Sequence, residues 1–309
     1  MRYLVTGCAG FIGHAVSKRL LQEGNEIVGI DNLNAYYDVR LKMRRLQDLQ
    51  TQKPFVFHRL ELDNISGVAD DYDGIIHLAA QPGVRASRDN PDQTYHCNVT
   101  GFYRLLEAFK GFDIPIIYAS SSSVYGANPT PFCESQEMKP TSWYGVTKML
   151  NEKMAETYAQ NHEMRLTGLR FFTVYGPWGR PDMAAWKFVE SIRKGFPIIV
   201  HDEQRMFRDF TYIDDIVEGI LRVVGHEPTG HQVYNIGGGQ MIRLSEFIKI
   251  IEERVGKKAQ KIYREPDEGE MMMTCANTAK LENKFWFAPT TTVQAGIDKF
   301  VTWFDHEQI

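Results

Sequence analysis

The chain has 309 residues, 43% hydrophobic and 24% charged, with a net charge of −4. That is globular composition with room for one large domain or two smaller ones, and no basic or acidic block argues for nucleic acid or an anionic membrane as partner. No apolar run reaches the ~18 residues of a spanning helix and the start lacks a charged-then-apolar leader, so the expectation is a cytoplasmic protein with no membrane segment. Cys8, Cys97, Cys133 and Cys275 stand far apart without CxxC spacing and read as reduced thiols, with no metal site.

Tyr3-Leu4-Val5 is a short apolar run of the kind that forms a buried central strand. Gly7, Gly10 and Gly13 follow at GxxGxxG spacing, then a helical pattern from Ala15 to Leu21. Strand, glycine turn and helix together place a helix N-terminus and closely approaching backbone under a pyrophosphate. Glu26 to Ile30 reads as the second strand, ended by Asp31, which lies 18 residues after Gly13. An acid about 20 residues past the glycines suits a ribose 2′-hydroxyl, and its charge repels a 2′-phosphate, which favours NAD over NADP.

Asn32 to Tyr37 is polar and aromatic loop, and Val39 to Leu49 a basic amphipathic helix. Phe55-Val56-Phe57 is a third strand, with Glu61 and Leu62 after it. A fourth, Gly74 to Leu78, runs into Ala79-Ala80-Gln81, whose alanines would let a flat cofactor lie on the strand end. His77 reads as a packed structural residue. Asn98 is expected to begin a helix whose apolar face is Phe102, Leu105, Leu106 and Phe109. The fifth strand, Ile114 to Ala119, ends in Ser120 to Ser123, where open α/β sheets bind ligands.

Tyr144 and Lys148 are four residues apart at the start of a run of good helix formers, so they share a helix face. A phenol loses its proton near pH ~10, and a neighbouring ammonium favours the phenolate, each unit being worth about 1.4 kcal/mol. The pair can therefore form a base for a hydroxyl at neutral pH. By itself this spacing is commonly a surface pair, and it gains weight from the glycine turn and serine run before it. A sixth strand, Arg165 to Phe172, leads into Thr173 to Arg180.

The alternation of strands and helices indicates a doubly wound, Rossmann-type α/β fold with a parallel sheet. Residues 1–175 read as an NAD-binding domain. Residues 176–309 read as a smaller lobe, partly interleaved with the first. In it, helices are expected at Ala184–Arg193, Asp214–Val224, Leu244–Val255 and Thr292–Trp303, and strands at Ile198–Val200 and Val233–Ile236. Met271 to Met273 reads as packing or loop.

With these motifs in place the chain resembles the extended short-chain dehydrogenase/reductase family, in particular its nucleotide-sugar epimerases, over nearly its whole length. It is most similar to the UDP-glucuronate 4-epimerases, in Gln81 to Arg85, Ser120 to Gly126, Arg170 to Met183 and Arg208 to Asp215. The resemblance implies bound NAD used catalytically, with Tyr144 taking the proton from the sugar 4-hydroxyl. It implies Lys148 on the nicotinamide ribose and Ser121 on the same sugar oxygen. It places Phe11, Ile12, Asp31, Asn32, Glu61, Leu62, Leu78, Ala79, Ala80, Gln81, Asn98 and Phe172 around the cofactor. Arg85, Ser122, Thr173, Arg180, Arg208 and Glu270 fall on the UDP-sugar. Ser122 and Ser123 stand where related dehydratases carry an Asp-Glu pair and decarboxylases commonly a Glu. Thr173 and Arg180 suit a sugar carboxylate, which a guanidinium holds bidentately.

Glu61 stands where the family usually has Asp, Glu270 likewise, and Asp267 lies near a diphosphate-binding Arg of the galactose epimerases. The resemblance also implies a homodimer through the helices near Asn98–Phe109 and Gly145–Gln160. The leading expectation is interconversion of UDP-glucuronate and UDP-galacturonate. The alternatives are 4-epimerisation of neutral UDP-sugars, UDP-glucuronate decarboxylation, and a dinucleotide-sensing module without turnover.

Overall fold

The computed structural model describes residues 1–226, 229–266 and 269–307. Strands and helices alternate through β1 (Arg2–Thr6), α1 (Phe11–Gln22), β2 (Glu26–Asp31), α2 (Val39–Gln50), β3 (Phe55–Arg59) and β4 (Gly74–His77). The series continues with α3 (Val84–Asp89), α4 (Pro91–Tyr95), α5 (Gly101–Phe109), β5 (Ile116–Ser121), α6 (Trp143–His162) and β6 (Leu166–Phe171). Beyond these come β7 (Thr173–Tyr175), α7 (Ala184–Lys194), β8 (Ile198–His201), β9 (Phe207–Tyr212), α8 (Ile213–Val224) and β10 (His231–Ile236). The last are β11 (Met241–Arg243), α9 (Leu244–Val255), β12 (Lys261–Arg264), α10 (Ala279–Phe285) and α11 (Val293–Glu307).

Seven strands make one sheet in the order β10-β6-β5-β4-β1-β2-β3, and every pairing in it is parallel. Its central strands are apolar on both sides because helices cover both faces. Alternate residues feed opposite cores: Val5, Ile76 and Ile117 meet the helices α1, α8 and α9, whereas Leu4, Ile75 and Ile116 meet α5 and α6. The order reverses between β1 and β4, so the carboxyl ends of β1, β2, β4, β5 and β6 open on one crevice.

Two features depart from the sequence reading. Asn98 does not begin a helix: the chain is helical from Pro91, and Asn98 sits inside a π-turn, His96–Thr100, that joins α4 to α5. Pro91 at the first turn, with Asn90 capping through Gln93 N, starts the helix earlier than the apolar pattern showed. The strand expected within the C-terminal lobe extends the main sheet instead, since β10 pairs with β6 in register from His231↔Leu166 to Ile236↔Phe171. The C-terminal half also carries a three-stranded sheet, β11-β9-β7, and a two-stranded one, β12-β8.

Candidate active site

The crevice at the strand ends holds a cavity of about 250 Å³. One half is built from backbone. Gly7 takes a φ of +72°, in the left-handed region, and a Cβ there would sit 2.8 Å from Ala79 N. A Cβ on Gly13 would lie 2.1 Å from the Gly7 carbonyl oxygen. The turn therefore folds against itself and against the end of β4 with no room for side chains. Gly10 offers no side chain to cap α1, whose first turn holds no acid, so the leading N–H groups face the cavity with their positive dipole end. At the neighbouring strand end, buried Asp31 accepts from Leu33 N at 2.8 Å and Ala9 N at 3.2 Å, with Lys42 Nζ at 3.8 Å. A glycine cradle under a helix N-terminus, beside a strand-end carboxylate, fits the pyrophosphate and ribose of a dinucleotide.

Phe11, Ile12, Asn32, Glu61, Leu62, Leu78, Ala79, Ala80, Gln81 and Phe172 line this cavity along with the three glycines and Asp31. Glu61 is engaged by Asn32, whose Nδ2 donates to both its oxygens at 3.2 and 3.0 Å. Asn98, also expected around the cofactor, lies behind the wall. Its Oδ1 accepts from Gln81 N at 2.7 Å, and its Nδ2 donates to Gln81 O and to Thr147 Oγ1, both at 3.1 Å. It thus ties the alanine loop to α6. His77 is packed as expected: its Nδ1 bonds Thr6 Oγ1 at 2.8 Å, and burial, with the nearby Lys148 charge, pushes its ring down to about 3.

The seam between the two halves is α6. Ser142 caps it by accepting from Gly145 N at 3.2 Å, and a Cβ on Gly145 would come 2.6 Å from Ser123 O. That close approach brings the serine turn to the helix. Tyr144, Lys148 and Ser121 all line the cavity. Lys148 Nζ donates to Ala119 O at 2.8 Å and lies 6.0 Å from the Tyr144 ring centre. Burial raises the Tyr144 phenol, while the Arg180 charge and then the Ser121 hydroxyl pull it down. Arg180 is thus the cation that pulls the phenol down, while the Lys148 ammonium lies over the Tyr144 ring. Burial pulls Lys148 itself down to about 8.

The other half is built from charged side chains that already have partners. Arg180 lines the cavity and pairs with Asp182, which also accepts from Tyr36 Oη at 3.1 Å. Arg208 donates to Glu270 Oε1 at 3.2 Å and to the Met272 carbonyl at 3.0 Å. Arg85, Ser122, Thr173, Arg208 and Glu270, all expected on the substrate, lie outside the cavity's lining. Asp267 lies outside the described residues.

Sequence reading missed Tyr36, Lys42, Arg45 and Asp182. Arg45 is fully buried and donates to Ala9 O at 3.1 Å and Gly179 O at 2.9 Å, joining the glycine turn to the loop that carries Arg180. A signal was present: Lys42 and Arg45 share the helix face of Leu46 and Leu49, and cations on an apolar face imply buried partners. Tyr36 and Asp182 gave none, since 146 residues separate them.

Residues 3–237 match the model of the NAD dependent epimerase/dehydratase family. The chain is 37% identical over 309 residues to a UDP-glucuronate 4-epimerase of Thermodesulfobacterium geofontis, covering 97% of this chain and 95% of that one. It is 39% identical over 325 residues to UDP-glucuronate 4-epimerase 4 of Arabidopsis thaliana, covering 97% and 74%. Among solved structures, the UDP-glucuronic acid 4-epimerase of Bacillus cereus in complex with UDP-glucuronic acid and NAD superposes with a TM-score of 0.95 at 33% identity, covering 99% of this chain and all of that one.

Proposed function

The chain belongs to the NAD dependent epimerase/dehydratase family, and on that premise we propose that it interconverts UDP-glucuronate and UDP-galacturonate by inverting carbon 4 of the sugar. The observation that carries the reading is the cavity wall on which Ser121, Tyr144 and Arg180 meet. NAD, when bound, supplies the acceptor and donor of hydride. Gly7, Gly10, Gly13 and the start of α1 would hold its pyrophosphate, Asp31 its adenosine ribose and Lys148 its nicotinamide ribose.

Tyr144 takes the proton of the 4-hydroxyl, and Ser121 steadies that oxygen through its hydroxyl. The 4-keto sugar turns over within the site, and Tyr144 returns the proton when the opposite face is reduced. A 4-ketone on a uronate is a β-keto acid, which tends to lose carbon dioxide. Arg180 and Thr173 hold the carboxylate out of line with the carbonyl, Arg180 by exchanging Asp182 for the substrate. Residues 1–175 serve the dinucleotide, and 176–309 most of the nucleotide-sugar, to which Arg85, Ser122, Arg208 and Glu270 contribute. The reading includes a cytoplasmic homodimer. Exposed Tyr95 and Trp143, stacked with ring centres 6.4 Å apart on adjoining helices, support pairing through that face.

Purified protein incubated with UDP-glucuronate, UDP-glucose and UDP-N-acetylglucosamine, without added NAD, tests the reading when products are separated by chromatography. UDP-galacturonate is the expected product. Turnover of the neutral sugars alone, or a UDP-pentose as main product, overturns it. Arg180→Ala is expected to raise KM for the uronate and release keto or pentose by-product. Unchanged affinity with no by-product would remove the restraint role. Because Arg180 pulls the Tyr144 phenol down, its loss also moves the acid limb of the rate profile to higher pH.

A further inference from the structure

Behind the reacting groups lies a buried ion pair that the reaction as described does not use. Glu152 follows Lys148 by one helical turn on α6, and both side chains are buried, as is Arg170 on β6. Arg170 clamps the carboxylate bidentately, Nε to Oε1 at 2.8 Å and Nη2 to Oε2 at 2.7 Å, and stacks its guanidinium 4.7 Å from the Tyr125 ring centre. Ser120 Oγ donates to the same Oε1 at 2.5 Å. Ser120 immediately precedes Ser121, so one carboxylate reaches both the lysine's face of α6 and the serine turn.

We propose that Glu152 is a positioning residue for the epimerisation: its carboxylate sets an anion one helical turn from Lys148, and its bond from Ser120 fixes the turn that presents Ser121 to Tyr144. The inference rests on the epimerase reading for what Lys148 and Ser121 do. A buried ion pair alone is weak evidence of a role, since apolar replacements often match it in stability. What distinguishes this one is its placement between two groups of the site. Burial lowers the Lys148 ammonium, and the Glu152 carboxylate is the charge that opposes this. The other titratable or charged groups around Lys148 and Glu152 are Tyr144 on α6, His77 on β4, Tyr118 on β5, Arg170 on β6 with Tyr125 against it, His231 on β10, and Glu156 on the next turn of α6. Among these, His77 is held neutral, and Arg170 is the cation bonded directly to Glu152.

As charges of opposite sign, the two partners should move Lys148 in opposite directions when each is removed, which gives a test that structural damage cannot imitate. Glu152→Gln keeps an acceptor for Ser120 and removes the negative charge, so Lys148 loses its proton at lower pH. Arg170→Gln removes the cation that offsets Glu152, so Lys148 keeps its proton to higher pH. The alkaline limb of kcat is expected to move down by about one unit in the first variant and up in the second, with KM nearly unchanged, an effect of the size that one buried charge exerts. Glu152→Asp, which retains the charge, restores most of the limb.

The same shifts are read without turnover from 15N-lysine NMR titration of the purified holoenzyme, the Lys148 signal being assigned by its loss in Lys148→Met. Limbs and signals that move the same way in both variants, or stay while only Tm falls, reduce Glu152 to a core ion pair. Should Glu152→Gln not fold, the upward shift in Arg170→Gln decides alone, and its absence overturns the inference. Failure of the wild type to convert UDP-glucuronate would sink the epimerase reading and leave the NMR result standing.

Discussion

The two halves of the cavity reach their shape by different means. The dinucleotide half is backbone: a glycine turn wedged against Ala79, helix N–H groups, and a carboxylate anchored by two main-chain donors. The sugar half is lined by Arg180, which is held by Asp182, and Arg208, held by Glu270, lies beyond that lining. A backbone cradle needs no rearrangement to receive a ligand. A paired guanidinium must change partner, and only a ligand that offers an anion in return can make that exchange without leaving a charge unpaired. The first half thus provides retention, and the second provides selection for a substrate rich in phosphate and carboxylate.

The seam between the halves carries the largest predicted effect. Tyr144→Phe removes the one acid–base group of the proposed reaction while leaving both halves built. The expected loss in kcat is about 10³-fold, within the range for general acid–base catalysis. Bound dinucleotide, extracted and quantified by absorbance, should stay at the wild-type level. A variant that keeps a tenth of the activity would move the base elsewhere.

Within the preformed half, Gly7→Ala is the next largest. A Cβ at Gly7 would meet Ala79 N at 2.8 Å, whereas Gly24, with an equally left-handed φ of +84°, has nothing within 4 Å. The left-handed conformation alone costs about 1–2 kcal/mol for a side chain, so Gly24→Ala should lower stability by that much and keep its cofactor. Gly7→Ala should lose more stability and purify with little NAD. Equal behaviour of the two variants would mean that the cradle can shift, and the contrast between rigid and exchanging halves would fail.

This contrast also explains what could be read from the chain. The glycine spacing, Asp31, the serine run and the Tyr144–Lys148 pair are local patterns, each set by a strand end or one helical turn. All of them reached the cavity, the serine run through Ser120 and Ser121. Asn98 was recognised but taken as the start of its helix, because a π-turn inside a continuous helix leaves no mark in apolar spacing. The long-range contacts were not legible, since Tyr36 with Asp182 and Arg208 with Glu270 are joined across 146 and 62 residues. The strand β10 escaped placement for the same reason: its sequence shows a strand, but only the crossover shows which sheet receives it.

The smallest effect belongs to the pair that lies outside the cavity's lining. Arg208 and Glu270 bond at 3.2 Å with side chains 14% and 31% exposed, so screening limits what the pair adds to stability. Glu270→Gln should change unfolding free energy by less than about 1 kcal/mol. Arg208 would stay in place, because its Nη1 still donates to the carbonyls of Phe207 and Met272. Its other amino group would then face the nucleotide without a competing carboxylate. KM for the UDP-sugar should fall by a few fold, and the fall should shrink as ionic strength rises, since a partly exposed cation's attraction for a diphosphate is screened beyond about 10 Å at 0.1 M salt. Glutamine keeps the length and an acceptor for a ribose hydroxyl, so a lost sugar contact would not mask the gain. An unchanged KM at every salt concentration would show that Arg208 does not bind the diphosphate, and the exchange of partners would then be confined to Arg180.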